Sequence, residues 1–469
     1  MKVERKQALM KYSQRIFIGM LLAMNAGFAV AQSRDSLFDD DDKTPPPPAT
    51  KQSDASVPVA AKKEEAPPAS NTRFSGNLEF RATRSIDDPE HWSGLRLRTN
   101  LGAQGGSSGL KWKLGIRADA DAAYWGRNKN IYPPAVRDDQ RTDVELRENY
   151  VDTTAGDWDL RLGKQFIVWG EMVGLFVADV VSPRDLRDFV STDLEPIRRT
   201  QWAARAERFD GDWHNEAIWV PVQTYDNIGK PGSEFYPQLA PSGTPYTVNE
   251  EERPKRDFDN GSFGLRSSVL KNGWDLSALA YVSRNVSPVF ERQITPSGLV
   301  FTPVHDRIRQ FGGTFSKDVG GVIVHGEGVW SSGKRFTVTR LDDDDGLMRS
   351  GSFDYAFGAD FTLPADSRLN AQIYQRVLTH HDDTMLVDKA ETGASLLYNI
   401  QWHRNWEAQM LWATSLNRSE GWINPLLTWK PWQDTRLRLG ADFFYGPPTG
   451  AFGSLDDKDR VYVEMQQTF

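Results

Sequence analysis

Residues 110–124 restrict the chain more than any other stretch. Leu110, Trp112, Leu114, Ile116, Ala118, Ala120, Ala122 and Tyr124 fall on one side of an extended backbone, and Lys111, Lys113, Gly115, Arg117, Asp119 and Asp121 on the other. Fifteen residues of period two are far more than the usual ~5–6 of a soluble strand. An apolar face and a charged face of that length suit a wall with lipid on one side and a polar lumen on the other. The pattern recurs at Leu95, Leu97 and Leu101 against Arg96, Arg98 and Asn100, and at Leu437, Leu439, Ala441, Phe443 and Tyr445 against Arg436, Arg438 and Asp442.

The chain also ends on such a strand. Met465, Val463 and Val461 face one way, and Thr468, Gln466, Glu464 and Tyr462 the other, before the terminal Phe469. This ending resembles the signal read by the bacterial barrel-assembly machinery. Short connections at 105–109, 155–157, 210–212, 271–273, 317–320, 364–366, 403–405 and 431–434 alternate with long ones at 126–141, 171–200, 225–257, 286–305, 339–350, 379–388 and 446–459. Short periplasmic turns and long external loops are the mark of a transmembrane antiparallel β-barrel. With the N-terminus in the periplasm the count is 18 strands, or 16 if one hairpin is misplaced.

Lys2, Arg5, Lys6, Lys11 and Arg15 precede an apolar stretch from Ile16 to Ala31 that ends Ala29-Val30-Ala31. Residues 1–31 therefore read as a secretory signal peptide, with Met10 as an alternative start. Residues 32–73 hold Asp39 to Lys43, Pro45 to Pro48 and Lys62-Lys63-Glu64-Glu65, a composition too polar to bury a core. That tail is expected to be a disordered spacer or a tether for a periplasmic partner, and the barrel to occupy 74–469. Hydrophobic content of 39% with no further long apolar run excludes a helical membrane protein. The absence of cysteine fits an oxidising route and excludes disulfide scaffolds and thiolate metal sites. The 16 Trp, 13 Tyr and 24 Phe suit aromatic girdles. Removing the leader takes the formal charge from −8 to −12, which disfavours nucleic acid as a partner.

The connection after the fifth strand is unusually apolar. Lys164-Gln165-Phe166-Ile167-Val168-Trp169-Gly170-Glu171 runs into Met172 to Phe189, through Asp179, Pro183, Arg184 and Asp185. Such a segment belongs inside a barrel and not in water, so 171–200 is expected to fold inward as a lid or constriction. Gly163, Lys164, Gln165, Trp169, Gly170, Glu171, Asp179, Pro183 and Asp185 resemble the marks of a family of proteobacterial outer-membrane barrels of unassigned function. Asn424-Pro425, Trp429, Gly440, Asp442, Gly446-Pro447 and Phe452-Gly453 extend the resemblance to the final hairpins. It implies partnership with an inner-membrane transporter of the resistance-nodulation-division type and a soluble periplasmic carrier, and traffic of a hydrophobic or lipid-like molecule.

Arg96, Arg98, Lys111, Lys113, Arg117, Arg161, Lys164, Arg205, Arg436 and Arg438 are expected to point inward, interleaved with Glu79, Asp119, Asp121, Glu207 and Asp442. They form either an internal brace or a cationic strip that attracts anionic groups. Glu171, Asp179, Arg184 and Asp185 likewise either pin the lid or touch a ligand. Gly105-Gly106-Ser107-Ser108-Gly109 matches a hydrolase pattern but falls in a hairpin turn, without the strand-to-helix elbow that activates a serine. The acidic runs Asp342 to Asp345 and His380-His381-Asp382-Asp383 are solvated loops or cation bridges to lipopolysaccharide. The reading is an outer-membrane conduit without catalytic residue, metal or cofactor. A diffusion porin, anion-preferring or general, is the first alternative, and a lipid-acting barrel enzyme the second.

Overall fold

The computed structural model describes residues 72–126, 128–170, 172, 174–188, 197–241 and 243–469. Its strands are β1 (Arg73–Ser85), β2 (Trp92–Ser107), β3 (Leu110–Asp121), β4 (Thr142–Ala155), β5 (Trp158–Gln165), β6 (Gln201–Asp210) and β7 (Trp213–Val222). There follow β8 (Tyr246–Val248), β9 (Ser262–Lys271), β10 (Trp274–Arg284), β11 (Val289–Thr295), β12 (Gly298–Val304), β13 (Arg307–Val319) and β14 (Val322–Thr337). The last are β15 (Leu347–Leu363), β16 (Ser367–Leu378), β17 (Ala390–His403), β18 (Trp406–Ser415), β19 (Glu420–Trp432), β20 (Thr435–Tyr445) and β21 (Arg460–Thr468). Eighteen of them form one antiparallel sheet, and β8, β11 and β12 form a second, three-stranded one. Because β1 pairs with both β2 and β21, the large sheet closes on itself and leaves no edge.

The side-chain distribution is inverted relative to a soluble protein, as lipid outside and charge inside demand. Leu97, Leu101, Leu114, Leu265, Phe311, Phe357, Leu439 and Val463 lie exposed on the outer face. Glu79, Arg81, Arg98, Arg117, Glu327, Asp442 and Glu464 are buried on the inner one. Trp158, Trp213, Trp274 and Trp406 each open a strand just after a short turn. Indoles at that level form one aromatic girdle, reinforced by the stack Trp402–Trp406–Trp429 at 6.3 and 5.5 Å. No helix among the described residues is long and apolar enough to cross a membrane.

All eight expected short connections are turns of two or three residues. At one of them Asn272 and Gly273 both take positive φ, which matches the twist of the flanking strands. At the long-loop end the structure departs from the sequence reading in three places. Tyr124 does not face lipid: β3 stops at Asp121, a short 3-10 turn follows, and the Tyr124 ring turns inward against Tyr132. Asp121 causes the break by capping Ala123 and Leu95 with one carboxylate oxygen. Segment 286–305 is not an open loop but the β11–β12 hairpin, which packs Phe290 and Phe301 on Leu239 and Ala240. Residues 347–350 belong to β15 and not to the preceding loop. The leader (1–31) and nearly all of the tail (32–73) lie outside the described residues, and Arg73 already begins β1.

Phe469 sits at the closing seam. Its N–H donates to Gly76 O at 2.9 Å and its carbonyl accepts from Gly76 N at 3.0 Å. A Cβ on Gly76 would lie 2.7 Å from the Phe469 ring and 2.9 Å from Asn100 O, so only glycine lets β21, β1 and β2 meet there. Gly76→Val should therefore destabilise the barrel by roughly 1–3 kcal/mol through overpacking. The check is heat modifiability on a gel, where the variant should unfold at a lower temperature than the parent; an unchanged midpoint would mean the seam does not depend on Gly76.

Candidate functional site in the lumen

Beyond β5 the alternation ends and the chain leaves the wall. Ile167, Trp169, Ala178 and Val181 bury themselves against the inward faces of Ala203, Ile218, Val220, Leu279, Tyr281 and Val329. Trp169 meets Tyr281 edge to face at 5.9 Å and donates its indole N–H to Glu216 at 3.1 Å. The inward-folded lid expected after the fifth strand is thus present.

A lid without regular secondary structure leaves backbone N–H groups that need acceptors. Glu327 on β14 supplies them, taking Met172 N at 2.8 Å on one oxygen and Ala178 N at 2.7 Å on the other. Gly170 makes this approach possible, since a Cβ there would lie 3.2 Å from Glu327 Oε1 and 2.9 Å from Asp179 N. The lid is further held by Ser182 Oγ donating to Ile167 O at 2.8 Å and by Arg198 on Asp179 at 2.9 Å. Its outgoing and returning arms pair, Asp185 N to Ile197 O and Arg199 N to Pro183 O, both at 2.7 Å. Asp226, from the connection after β7, accepts Arg184 N at 2.7 Å.

The far end reaches a third sector of wall. Asp185 accepts from Arg187 and lies 3.6 Å from Arg117. Asp188 lies 2.8 Å from Arg460 and 3.6 Å from both Arg81 and Arg96. Burial works against ionisation of both carboxyls. Arg187, Arg117 and Arg199 around Asp185, and Arg460, Arg81 and Arg96 around Asp188, outweigh it and hold both well below the ordinary carboxylate range.

The lid leaves two chambers of about 90 Å³ each. One, against β10 and β13–β19, is lined by Phe176, Val177, Val180, Ile308 and Phe452 on one side and by Arg184, Lys334, Asp354 and Arg376 on another. The other, against β1–β3 and β21, is rich in charge, with Arg81, Arg96, Arg98, Arg187 and Arg460 among Asp119, Asp121, Asp185 and Asp188, beside the apolar Ile197 and Phe235.

The expected site residues separate into groups. Gln165 is fully buried and donates to Ala203 O at 3.0 Å, Trp169, Gly170, Asp179, Pro183 and Asp185 hold the lid as described, and Lys164 stays within β5 opposite Trp202. Glu171 lies outside the described residues. Among the ladder, Arg96, Arg98 and Arg117 converge on Glu79, Asp119 and Glu145 beside the lid's far end. Lys113 pairs with Glu148, Arg161 with Asp152, Arg205 with Glu207 and Glu216, and Arg438 with Glu464. Arg436 donates to Gln466, and Lys111 is exposed beside a turn. Glu207, His214 and Glu216 come close enough to share a cation, but the Arg205 guanidinium already donates to both glutamates. In the acidic loops Asp343 is tied to Arg340 and Asp345 to Arg335.

Glu327, Asp188, Asp226 and Arg460 were not singled out from sequence. Glu327 had a readable signal, since its cross-strand neighbours are Thr314 and Ala356 and an inward acid without a basic neighbour needs donors across the lumen. Arg460 also binds Asp442 at 2.8 Å, and Asn424 donates to the same carboxylate at 2.7 Å, so the Asn-Pro and Asp of the last hairpins connect to the lid through Asp188.

The lid motif and the last hairpins therefore form one construction, and the profile of a protein family of unknown function, DUF1302, matches residues 32–469. The chain belongs to the DUF1302 family. No curated protein is significantly similar to it in sequence. Among solved structures, this DUF1302 barrel is similar to OccAB1 of Acinetobacter baumannii, with a TM-score of 0.52 at 9% identity, covering 85% of this chain and 96% of that one. It is likewise similar to OccK8 (OprE) of Pseudomonas aeruginosa, with a TM-score of 0.51 at 9% identity, covering 85% and 98%. At such identity the likeness shows the fold, that of a porin-like outer-membrane barrel.

Over the mouth, His91 Nε2 meets Glu234 at 2.7 Å and Tyr132 OH at 2.8 Å, while Nδ1 meets Pro89 O at 2.6 Å, clasping three external loops. Burial lowers the imidazole, but the bonds to Glu234 and Pro89 prevail and raise it above its ordinary 6.5, Lys458 opposing weakly. A raised histidine stabilises below its ordinary value and loses that contribution as pH rises through the raised one. Two predictions follow from opposite signs. Hydrogen exchange in the 86–91 loop of the DUF1302 barrel should speed up on going from pH 6 to 9, beyond the chemical exchange rate, and His91→Gln should abolish that extra dependence. The lid, held by depressed carboxyls, should show no such change above pH 5; instead Glu327→Ala should raise Ala178 amide exchange by at least about tenfold, each charged hydrogen bond contributing roughly 1.5–3 kcal/mol.

Proposed function

We propose that the barrel is a lid-gated conduit for a hydrophobic or amphipathic, lipid-like compound across the outer membrane, and not an enzyme. The observation that carries this reading is the lid itself. A segment of apolar residues held by Glu327 inside the barrel presents Phe176, Val177 and Val180 to a chamber that is also lined by Arg184, Lys334, Asp354 and Arg376. Water and small ions need no such surface; a molecule with both an apolar and a polar part does. The lid motif's family resemblance adds an inner-membrane transporter of the resistance-nodulation-division type and a soluble periplasmic carrier as partners. The apolar belt contacts outer-membrane lipid, the loop rim contacts lipopolysaccharide, and the strand ending in Phe469 is read by the barrel-assembly machinery.

A second reading, a diffusion porin with anion preference, is supported by the arginine-rich chamber beside β1–β3 and by the porin-like fold. Single-channel conductance in a planar bilayer separates the two. The conduit reading expects silence or rare small steps in the parent protein, and steady large openings when residues 173–190 are replaced by a short Gly/Ser linker. Steady large openings in the unmodified barrel would sink the conduit reading in favour of the porin.

A further inference from the structure

In the amphipathic chamber Arg184 has no carboxylate partner among the described residues. Arg184 is 8% exposed, its Nε is buried without a hydrogen-bond partner, and no described carboxylate lies within ion-pair distance of its guanidinium. The group is held in place, since its backbone N–H is fixed by Asp226 and its guanidinium lies 4.8 Å over the Phe176 ring. Burying an unpaired guanidinium is costly, and proteins ordinarily provide it with a counter-charge.

Most carboxylate oxygens around the chamber are committed elsewhere, although Asp179 Oδ1 and Glu420 Oε1 are buried without a hydrogen-bond partner. Asp179 takes Arg198 at 2.9 Å. Glu420 accepts the N–H groups of Phe452 and Gly453 at 2.8 and 3.2 Å, and Glu391 accepts Arg418 at 3.0 Å. Asp354 is shared between Arg376 and Lys334, 3.6 Å from the latter. Arg184 and Arg376 both repel the Lys334 ammonium. Arg184, Lys334 and Arg376 thus gather around Asp354, next to the apolar Val177, Val180, Ile308 and Phe452.

We infer that this chamber is a binding site for the anionic head group, carboxylate or phosphate, of a single-chain amphiphile, with Arg184 as the counter-charge and Lys334 beside it. The inference rests on the conduit reading and narrows its cargo. At about 90 Å³ the chamber holds a head group and the first carbons of a chain. The remainder of the chain lies along the lid.

The test is equilibrium binding of octanoate, octyl phosphate and 1-octanol to the full-length barrel in nanodiscs at pH 8, corrected for empty nanodiscs. Both anions should bind at least about tenfold more tightly than octanol, a difference of ~1.4 kcal/mol. Arg184→Gln should reduce that preference to within about twofold, Arg184→Lys should keep part of it, and Lys271→Gln at an exposed turn should keep all of it. Heat modifiability verifies that each variant is folded. A stronger response for one anion identifies the head group and supports the site. Equal binding of anions and octanol by the parent, or an undiminished preference in folded Arg184→Gln, would overturn the head-group site while leaving the conduit reading intact. Absence of saturable binding for all three probes would overturn both.

Discussion

Everything distinctive about this barrel depends on Glu327 accepting two lid amides from across the lumen. A wall of eighteen strands encloses more space than inward side chains can fill, and whatever occupies it must bring its own hydrogen-bond partners. Most of the lid's described residues between β5 and β6 have no strand or helix pairing, so their amides depend on side-chain acceptors. Glu327 and Asp226 accept the N–H groups of Met172, Ala178 and Arg184. Remove those acceptors and the apolar contacts of Trp169 alone would leave several buried N–H groups without partners, each at a cost of ~1–3 kcal/mol.

The inward charges follow the same logic at a larger scale. A buried ion pair gains little over an apolar pair of similar volume, yet breaking one is expensive, so such pairs fix geometry more than they add stability. Here the pairs are distributed by role. Lys113–Glu148 and Arg161–Asp152 brace neighbouring strands, whereas Arg81, Arg96 and Arg460 all turn toward Asp188 of the lid. These arginines are thus divided between holding the wall and holding the lid, whereas the Arg184 guanidinium pairs with no described carboxylate.

Strand positions, turn positions and the inward course of the lid were legible because period-two alternation and an apolar run out of place are local signals. Asp188 and Arg460 were not, because their meaning lies in a contact between residues far apart in sequence that only closure of β21 onto β1 creates. Tyr124 misled for a related reason. Its parity places it outside, but Asp121 capping Ala123 ends the strand three residues earlier, and parity carries no information past a cap. The β11–β12 hairpin escaped notice because its turn, Thr295 to Gly298, falls at the loop end, where the alternating count expects none. Of the candidate site, the lid residues could be read from composition. Which of them has a charged partner could not, since Asp179 and Arg184 look alike until Arg198 is seen on the first and no described carboxylate on the second.

The chamber and the anchor are adjacent, and that adjacency supplies a physical route from cargo to gate. Phe176, Val177 and Val180 line the chamber, while Ala178 between them gives its N–H to Glu327. A chain longer than the chamber can hold must displace those side chains, and displacing them pulls on the Ala178 and Met172 amides. The two bonds to Glu327 are together worth roughly 3–6 kcal/mol. Moving a two-state equilibrium from almost closed to almost open takes ~5.5 kcal/mol of differential binding. The two magnitudes are of the same order, so, on the conduit reading proposed above, a ligand must gain about that much by neutralising Arg184 and burying its chain against the lid in order to release it.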